Sequence, residues 1–231
     1  MIAWLRPQDP FPPIEAARED WGGLLAIGAD LSPTRLIDAY RRGIFPWGTH
    51  EGHPLWYSPD PRMVLFPDEF HCPRSLQKTL RKGRFDIRFD TDFAAVIAQC
   101  AATARPGQGG SWITEAMQAA YGRLFELGWA HCVASYEAGE LVGGLYGVHI
   151  GQMFYGESMF AHRADASKVA FAHLVTRFQQ TGVGLIDCQM NTHHLARFSG
   201  REIPRDQFLA HLSRLTVQAP NSGTWANPPT Y

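Results

Sequence analysis

The order of apolar and polar positions from residue 63 onward predicts strands and helices that follow one another along the chain. Residues alternate with a period of two over Phe85–Phe89, which is typical of a half-buried strand. Phe93–Ala102 instead repeats its apolar residues with the period of a helix. By the same criteria, further strands are predicted at Met63–Phe66, His131–Tyr136 and Leu185–Met190. Helices are predicted at Arg74–Lys82, from the candidate N-cap Thr114 to Gly128, near Phe208–Leu215, and from about Asp165 or Ser167.

The segment Leu141–Phe160 predicts two strands joined by a tight turn over residues 149–152. Gly143, Gly144 and Gly147 lie within the first strand, where glycine marks a bulge or a close approach of another backbone or a ligand. The second strand carries Glu157 into an apolar neighbourhood, where a carboxylate is costly unless it is paired or hydrated. From this segment alone, Glu157 is either such a buried carboxylate or an exposed residue at a hairpin end.

The pattern of apolar and polar positions is weaker before residue 63. Residues 1–20 are rich in proline, lack core periodicity and are predicted to be irregular, whereas Ser32 and Pro33 begin a helix as its N-cap and first residue. Ile44–Trp47, followed by Leu55–Arg62, combines large aromatics with prolines and predicts little regular structure. The aromatic side chains of this segment, including Trp47, either pack in the core or form a platform for a planar ligand such as a nucleobase.

Strands and helices in this order favour an α+β fold in which helices cover both faces of a mixed sheet. In such sheets ligands gather where the ends of neighbouring strands separate. Glu157 near one strand end, and Asp187 and Gln189 on another strand, are the polar residues expected to meet there. Because Asp187 and Gln189 are two positions apart, we expect them to point to one side and Cys188 to pack on the other.

The composition is that of an ordinary globular protein, with 231 residues of which 45% are hydrophobic and 19% charged. No apolar run has the length of a bilayer span, and the N-terminus lacks the segments of an export signal. The four cysteines are widely spaced, which predicts neither a zinc site nor a disulfide framework. We therefore expect a protein of the reducing cytoplasm that holds no metal and contacts no membrane.

The net charge of −1 gives no general indication of nucleic acid, but basic residues are concentrated between residues 74 and 88. If Arg74–Lys82 is helical, its cations share one face. This basic face is either a solvated helix surface or a surface that binds phosphates. Its members are Arg74, Lys78, Arg81 and Lys82.

Seven blocks occur in this order along the chain: GLLAIGADLSPTRLIDAYRRGIFPW, LWYSPDPR, SWIT, LVGGLYGV, FYGESMF, ASK and IDCQ. Together they resemble the bacterial leucyl/phenylalanyl-tRNA–protein transferases over roughly residues 20–215. Members of that family take Leu or Phe, and Met less well, from an aminoacyl-tRNA. They attach it to the α-amino group of a protein that begins with Arg or Lys, which marks that protein for N-degron degradation. The resemblance implies a small N-terminal domain, residues 1–62, and a GCN5-like N-acyltransferase domain, residues 63–231.

The resemblance also implies roles for single residues. Glu157 and Asp187 would line the acceptor site, and Gln189 would orient the acceptor amine and receive or relay its proton, with Asp187 polarising Gln189. The 3′-terminal adenosine of the tRNA would contact Trp47 and Trp112, and the basic face would contact the tRNA body. The side chain of the donor amino acid would lie in a pocket formed by Leu145, Phe154, Met159 and Leu174.

An aminoacyl-tRNA is an activated ester, so we expect no cofactor, and the partners are the charged tRNA and the acceptor protein. We expect the chain to act as a monomer. Two alternatives stay open. An acetyl-CoA-dependent GCN5-like acetyltransferase is disfavoured, because Arg163–Lys168 stands where such enzymes have a glycine-rich pyrophosphate loop. A non-catalytic tRNA-binding or N-degron-recognition module would bind its ligands without transfer.

Overall fold

The computed structural model describes residues 2–103, 111–191 and 193–217 of the chain. The strands in this part form one sheet of four strands and one of seven. None of the helices that it describes is long and apolar enough to cross a membrane.

The smaller sheet is built from residues 3–57. Its strands are β1 (Ala3–Leu5), β2 (Leu24–Gly28), β3 (Phe45–His50) and β4 (His53–Tyr57), and helix α1 (Pro33–Arg41) connects β2 to β3. The strand order is β1-β2-β4-β3, with β1 parallel to β2 and the other pairs antiparallel. The predicted start of α1 is confirmed, since the backbone N–H of Arg35 donates to the Ser32 hydroxyl at 3.3 Å and Pro33 is the first helical residue.

Two predictions for this region are wrong. Residues 1–20 include the strand β1, and the aromatic segment after residue 44 forms the hairpin of β3 and β4. Pro46 is tolerated because β3 is an edge strand, where a missing N–H removes no bond to a further strand. Trp56 packs in the core, since it is fully buried and donates its ring N–H to the Gly28 carbonyl at 2.8 Å. Trp47 is only partly buried, and its role as a platform for a planar ligand stays a prediction.

The larger sheet follows. Its strands are β5 (Arg62–Leu65), β6 (Asp86–Phe89), β7 (Ala130–Glu137), β8 (Glu140–Ile150), β9 (Met153–Ala161), β10 (Leu185–Gln189) and β11 (Arg201–Ile203). They lie in the order β11-β5-β10-β9-β8-β7-β6. β9 and β10 are parallel and all other neighbours are antiparallel, so the sheet is mixed, as predicted.

Helices cover both faces of this sheet. They are α2 (Arg74–Arg81), α3 (Phe93–Ala102), α4 (Glu115–Glu126), α5 (Ala166–Thr181), α6 (His193–Ala196) and α7 (Arg205–Leu215). Buried residues of α1, α3, α4 and α7 form one apolar core, and those of α2 and α5 form a second core against the opposite face. The α+β class with a helix-flanked mixed sheet is therefore confirmed.

The β8–β9 hairpin contains the bulge that its glycines predict. A Cβ on Gly147 would lie 2.2 Å from the Tyr155 carbonyl oxygen, so only glycine fits at that position. The pairing register shifts between Tyr146, opposite Ser158, and Gly147, opposite Gly156. Glu157 is the extra residue between them, and a bulge of this kind redirects a side chain out of the strand's alternation.

Candidate active site

A cavity of about 460 Å³ opens beside this hairpin. Its walls come from β3, β8, β9, α5 and β10, together with the residues around the start of α4, and they are mostly apolar. Eight residues singled out from the sequence line it: Trp47, Trp112, Leu145, Phe154, Glu157, Met159, Leu174 and Gln189. The fold therefore brings the predicted adenosine-binding, side-chain-binding and acceptor residues to one place.

Glu157 is the buried carboxyl of this cavity, with only 7% of its surface exposed. Tyr40 of α1 donates its hydroxyl to Oε1 at 2.8 Å, and Tyr121 of α4 donates to Oε2 at 2.8 Å. The side-chain amide of Gln189 donates a third bond to Oε1 at 2.8 Å. Burial raises the pKa of Glu157 to about 7, although the two hydroxyls and the amide favour its charged form and the nearby Asp187 opposes it.

The two tyrosine hydroxyls also contact each other. Their oxygens are 2.5 Å apart, so Tyr40, Tyr121 and the Glu157 carboxyl form a closed triangle of polar groups. Burial raises the pKa of both hydroxyls well above its ordinary value, and the nearby Glu157 charge acts in the same direction. Both tyrosines therefore keep their hydrogens at neutral pH.

Asp187 lies on the neighbouring strand but in different surroundings. It is fully buried, and Arg62 donates to its two oxygens at 2.8 and 2.7 Å. The guanidinium of Arg62 also donates to the Gly43 carbonyl at 3.1 Å and lies between the rings of Phe45 and Phe208, 4.6 Å from each centroid. Asp187 is not among the described residues that line the cavity, although the family resemblance implies that it would be.

Gln189 connects the two carboxyls. Its backbone N–H donates to Asp187 Oδ1 at 2.9 Å, while its side-chain amide donates to Glu157. The backbone of Gln189 has a φ of +63°, a left-handed conformation that a non-glycine residue adopts only when its surroundings hold it there. The bond from Asp187 is one such constraint, so Asp187 contacts the backbone of Gln189 rather than the amide that it was expected to polarise.

The prediction that Asp187 and Gln189 point to one side is wrong. The register between β10 and β5 shifts between them, so Gln189 lines the cavity and Asp187, among the residues described, does not. Cys188 packs against the core that contains α5, as expected, and also lines the cavity. Strict alternation, on which the prediction depended, fails at a bulge. Burial raises the pKa of the Cys188 thiol well above its ordinary value, which leaves it uncharged at neutral pH.

Two tryptophans contribute to the cavity wall. Trp47 belongs to the edge strand β3 and contacts Tyr57 edge-on, with centroids 5.5 Å apart. Trp112 precedes α4, whose predicted N-cap is confirmed by the bond from the backbone N–H of Met117 to the Thr114 hydroxyl at 3.2 Å. Both residues are partly buried and both line the cavity.

The four residues predicted to hold the donor side chain lie together on the apolar part of the wall. Leu145 of β8, Phe154 and Met159 of β9, and Leu174 of α5 all contribute to it. Leu145, Phe154 and Leu174 are at most 3% exposed, and Met159 is partly buried. The wall can accept an apolar side chain and offers no charge to a polar one.

The basic face lies outside the cavity. Arg74, Lys78, Arg81 and the C-cap residue Lys82 are all exposed, whereas Leu76 of the same helix is buried. Leu76 belongs to the same apolar core as α5, so the basic face points outward on the side of the sheet that carries one cavity wall. In the part of the chain that the structure describes, no cluster of three or more His, Cys, Asp or Glu residues could hold a metal ion.

Sequence reasoning missed three residues of the site. The sequence did not connect the hydroxyls of Tyr40 and Tyr121, which are fully buried, with Glu157. Arg62 was not singled out at all, although a buried Asp187 requires a cation or several donors. Its position at the end of the SPDPR block, where β5 begins, was the one available signal.

Comparison with known proteins places the chain in a family. A sequence profile described as leucyl/phenylalanyl-tRNA protein transferase matches residues 64–213, and the profile of that family's N-terminal domain matches residues 29–60. The chain belongs to the leucyl/phenylalanyl-tRNA protein transferase family, a family of aminoacyltransferases.

The relatives match almost from end to end. A leucyl/phenylalanyl-tRNA–protein transferase of Dechloromonas aromatica is 64% identical over 229 residues, covering 99% of this chain and 98% of the relative. The protein of the same name from Laribacter hongkongensis is 55% identical over 226 residues, covering 97% and 96%. That from Myxococcus xanthus is 53% identical over 216 residues, covering 93% and 91%.

Likeness to solved structures is weaker. A functionally unknown conserved protein from Staphylococcus epidermidis aligns with a TM-score of 0.44 at 9% identity, covering 78% of this chain and 68% of that chain. At this level the alignment supports no conclusion about function.

Proposed function

We propose that the protein transfers Leu or Phe, and Met less well, from aminoacyl-tRNA to the α-amino group of proteins that begin with Arg or Lys, which marks them for N-degron degradation. Family membership supports the reaction class. The observation that carries the detail is the single cavity in which two aromatic rings, an apolar wall and the Glu157–Gln189 pair meet. These partners belong to the cytoplasm, where we expect the protein to act as a monomer.

On the donor side, Trp47 and Trp112 bind the 3′-terminal adenosine, at least one of them by stacking. A base stacked on an aromatic ring gains about 1–3 kcal/mol and needs no sequence-specific contact. The apolar wall of Leu145, Phe154, Met159 and Leu174 takes the aminoacyl side chain. Because one methylene changes binding by only about 1–3 kcal/mol, discrimination among Leu, Phe and Met is graded.

On the acceptor side, the ligand brings an α-ammonium and a cationic side chain. Glu157 supplies the negative charge that faces the cavity, and the side-chain oxygen of Gln189 is left to accept from the attacking amine, because its amide nitrogen is engaged by Glu157. The donor ester is already activated, so much of the rate comes from positioning the two reactants. Asp187 contributes by fixing the backbone of Gln189 through its 2.9 Å bond.

The basic face of Arg74, Lys78, Arg81 and Lys82 binds the phosphates of the tRNA body. It is exposed on the side of the sheet where α5 forms a cavity wall, so a tRNA whose 3′ end enters the cavity can extend across α2. Contacts of this kind add affinity that does not depend on sequence and weakens with salt.

We also propose a domain boundary between residues 62 and 63 and a GCN5-like N-acyltransferase fold for the second domain. The boundary is supported by the separation of the two sheets, since β4 of the smaller sheet ends at Tyr57 and β5 of the larger begins at Arg62, one residue before the proposed boundary. The fold is supported by the mixed sheet, whose one parallel pair, β9 and β10, carries Glu157 and Gln189.

The proposed function is tested by incubating charged Leu-tRNA with a peptide that begins with Arg and looking for the peptide extended by one Leu. Peptides beginning with Ala, and tRNA charged with Val, are the matched controls and should yield far less product. Failure to form product at any salt concentration would overturn the proposal. Binding of acetyl-CoA, or tRNA binding without transfer, would instead support one of the two alternatives.

A further inference from the structure

The triangle of Glu157, Tyr40 and Tyr121 is one hydrogen short when its carboxyl is ionised. Three oxygen–oxygen contacts of 2.8, 2.8 and 2.5 Å join its members, and the two hydroxyls supply only two hydrogens. If both tyrosines donate to the carboxylate, the contact between their own oxygens has no hydrogen. A proton on Oε2 completes the triangle, because the carboxyl then donates to Tyr121, Tyr121 donates to Tyr40, and Tyr40 donates to Oε1.

The groups around Glu157 contain one anion and one cation that balance each other. Besides Tyr40 of α1 and Tyr121 of α4, the groups in its surroundings that can carry charge are Asp187 of β10, Arg62 of β5, Tyr146 of β8 and Tyr155 of β9. Arg62 is held against Asp187 at 2.7 Å, so among the residues that the structure describes no cation pairs with Glu157. The triangle thus accommodates both the charged and the neutral carboxyl.

We propose that the Glu157 carboxyl, supported by Tyr40 and Tyr121, takes the proton that the acceptor ammonium must lose before it attacks. The proposal deepens the proposed function and rests on it. An ammonium N–H bond breaks and the proton passes to the Glu157 carboxylate, which leaves a neutral amine and a neutral carboxyl. The amine nitrogen then bonds to the ester carbon, the ester C–O bond breaks, and the tRNA ribose oxygen leaves with a proton from that nitrogen. Glu157 finally releases its proton to solvent.

Asp187 is poorly placed for this step. Both of its oxygens accept from Arg62, Oδ1 also accepts from the backbone N–H of Gln189, and it does not line the cavity among the residues described. Glu157 lines the cavity and contacts Gln189, which orients the amine. We therefore assign proton acceptance to Glu157, and Tyr40 and Tyr121 are positioning residues that act through it.

The first test follows the carboxylic acid C=O band of Glu157 by infrared titration of the protein alone. The band should be present below about pH 7, should disappear as the pH rises through that value, and should be absent in Glu157→Gln. Tyr40→Phe and Tyr121→Phe should move the midpoint of the titration by about one pH unit, because each breaks the triangle that holds both the charged and the neutral carboxyl. Tyr155→Phe is the matched control, since it deletes a buried hydroxyl beside Tyr40 but outside the triangle.

The second test measures transfer to an Arg-starting peptide against pH. Activity should rise through the same pH range, because only the ionised carboxyl can accept a proton. The pH profiles of the Phe variants of Tyr40 and Tyr121 should move in the same direction and by the same amount as their infrared midpoints. A shift of one unit changes the rate about tenfold below that range and leaves it unchanged at higher pH. Tyr155→Phe should follow the wild-type profile.

The outcomes separate the two proposals. A wild-type protein that transfers nothing would overturn the proposed function, while the infrared titration would still decide whether Glu157 takes a proton near neutrality. Transfer with an unshifted pH profile in both Phe variants, or a Glu157 that stays ionised at pH 5, would overturn the inference and leave the proposed function standing.

Discussion

Glu157 and Asp187 are buried carboxyls on adjacent parallel strands, and their surroundings differ in one decisive respect. Asp187 has a cation fixed against it, because Arg62 donates to both of its oxygens. Within the described part of the chain the donors to Glu157 are all uncharged, two hydroxyls and an amide, and burial raises its pKa to about 7. A buried carboxyl with a permanent partner stabilises structure, whereas one with neutral partners can gain and lose a proton at neutral pH.

The largest effect should come from removing the cation of the Asp187 pair. Arg62→Met should lower the free energy of unfolding by about 3–5 kcal/mol, because it leaves a buried carboxylate without its partner. Glu157→Gln, which keeps the shape and has neutral partners, should cost much less. Chemical denaturation measures both, with Arg123→Met, which breaks the exposed Arg123–Glu126 pair, as the control. Equal losses for Arg62→Met and Arg123→Met would remove the distinction between the two carboxyls.

Gln189, which contacts both carboxyls, should control the rate of aminoacyl transfer. Gln189→Ala should slow transfer about a hundredfold, because it removes the group that orients the amine while leaving both carboxyls in place. Affinity for tRNA should be unchanged. Gln179→Ala is a suitable control, since Gln179 donates to the Pro67 carbonyl away from the cavity. Wild-type turnover in Gln189→Ala would show that the contact between the two regions has no catalytic role.

Substitution of Trp47 or Trp112 should weaken binding of the donor aminoacyl-tRNA and should leave the surroundings of Glu157 and Asp187 unchanged. Trp47→Ala and Trp112→Ala should each raise the KM for aminoacyl-tRNA about ten- to a hundredfold, which corresponds to the ~1–3 kcal/mol of a base–aromatic stack. The KM for the acceptor peptide should stay constant. Trp21→Ala, at a ring that is 56% exposed, supplies the control. Normal donor kinetics in a folded Trp112→Ala enzyme would show that Trp112 packs in the wall and does not bind the adenosine.

The smallest effect should come from removing single charges on the surface, because solvent screens the interactions of exposed charges more than those of buried ones. Lys78→Ala should weaken tRNA binding a few-fold and reduce the slope of log affinity against log salt by about one. Binding of puromycin, which resembles only the 3′ end, should be spared. Arg123→Ala removes an exposed cation from α4 and should leave the slope as it is. Equal losses for tRNA and puromycin would argue against a contact with the tRNA body.

Sequence reasoning succeeded where the determinants are local. The period of Phe93–Ala102, the caps at Ser32 and Thr114 and the glycines that mark the hairpin bulge all depend on neighbours along the chain, and all are confirmed. The strands β1, β3 and β4 were missed because they are short or contain proline, and they gain stability from pairing with distant segments.

The partners of the two carboxyls were missed for a related reason. Tyr40 is 117 positions from Glu157, and Arg62 is 125 positions from Asp187, so periodicity cannot reveal either contact. The motifs identified the family and most of the cavity wall. The uneven distribution of charge between two similar carboxyls required three-dimensional structure.

The most direct test of the claim that Glu157 is the carboxyl that faces the acceptor is a binding measurement on Glu157→Gln. The affinities of an Arg-starting peptide and of puromycin are measured separately with wild type and variant above pH 7, where the carboxyl is ionised. A charge-assisted hydrogen bond contributes about 1.5–3 kcal/mol against about 1 for a neutral one, so peptide affinity should fall about tenfold while puromycin affinity holds. Unchanged peptide affinity in the folded variant would contradict the account.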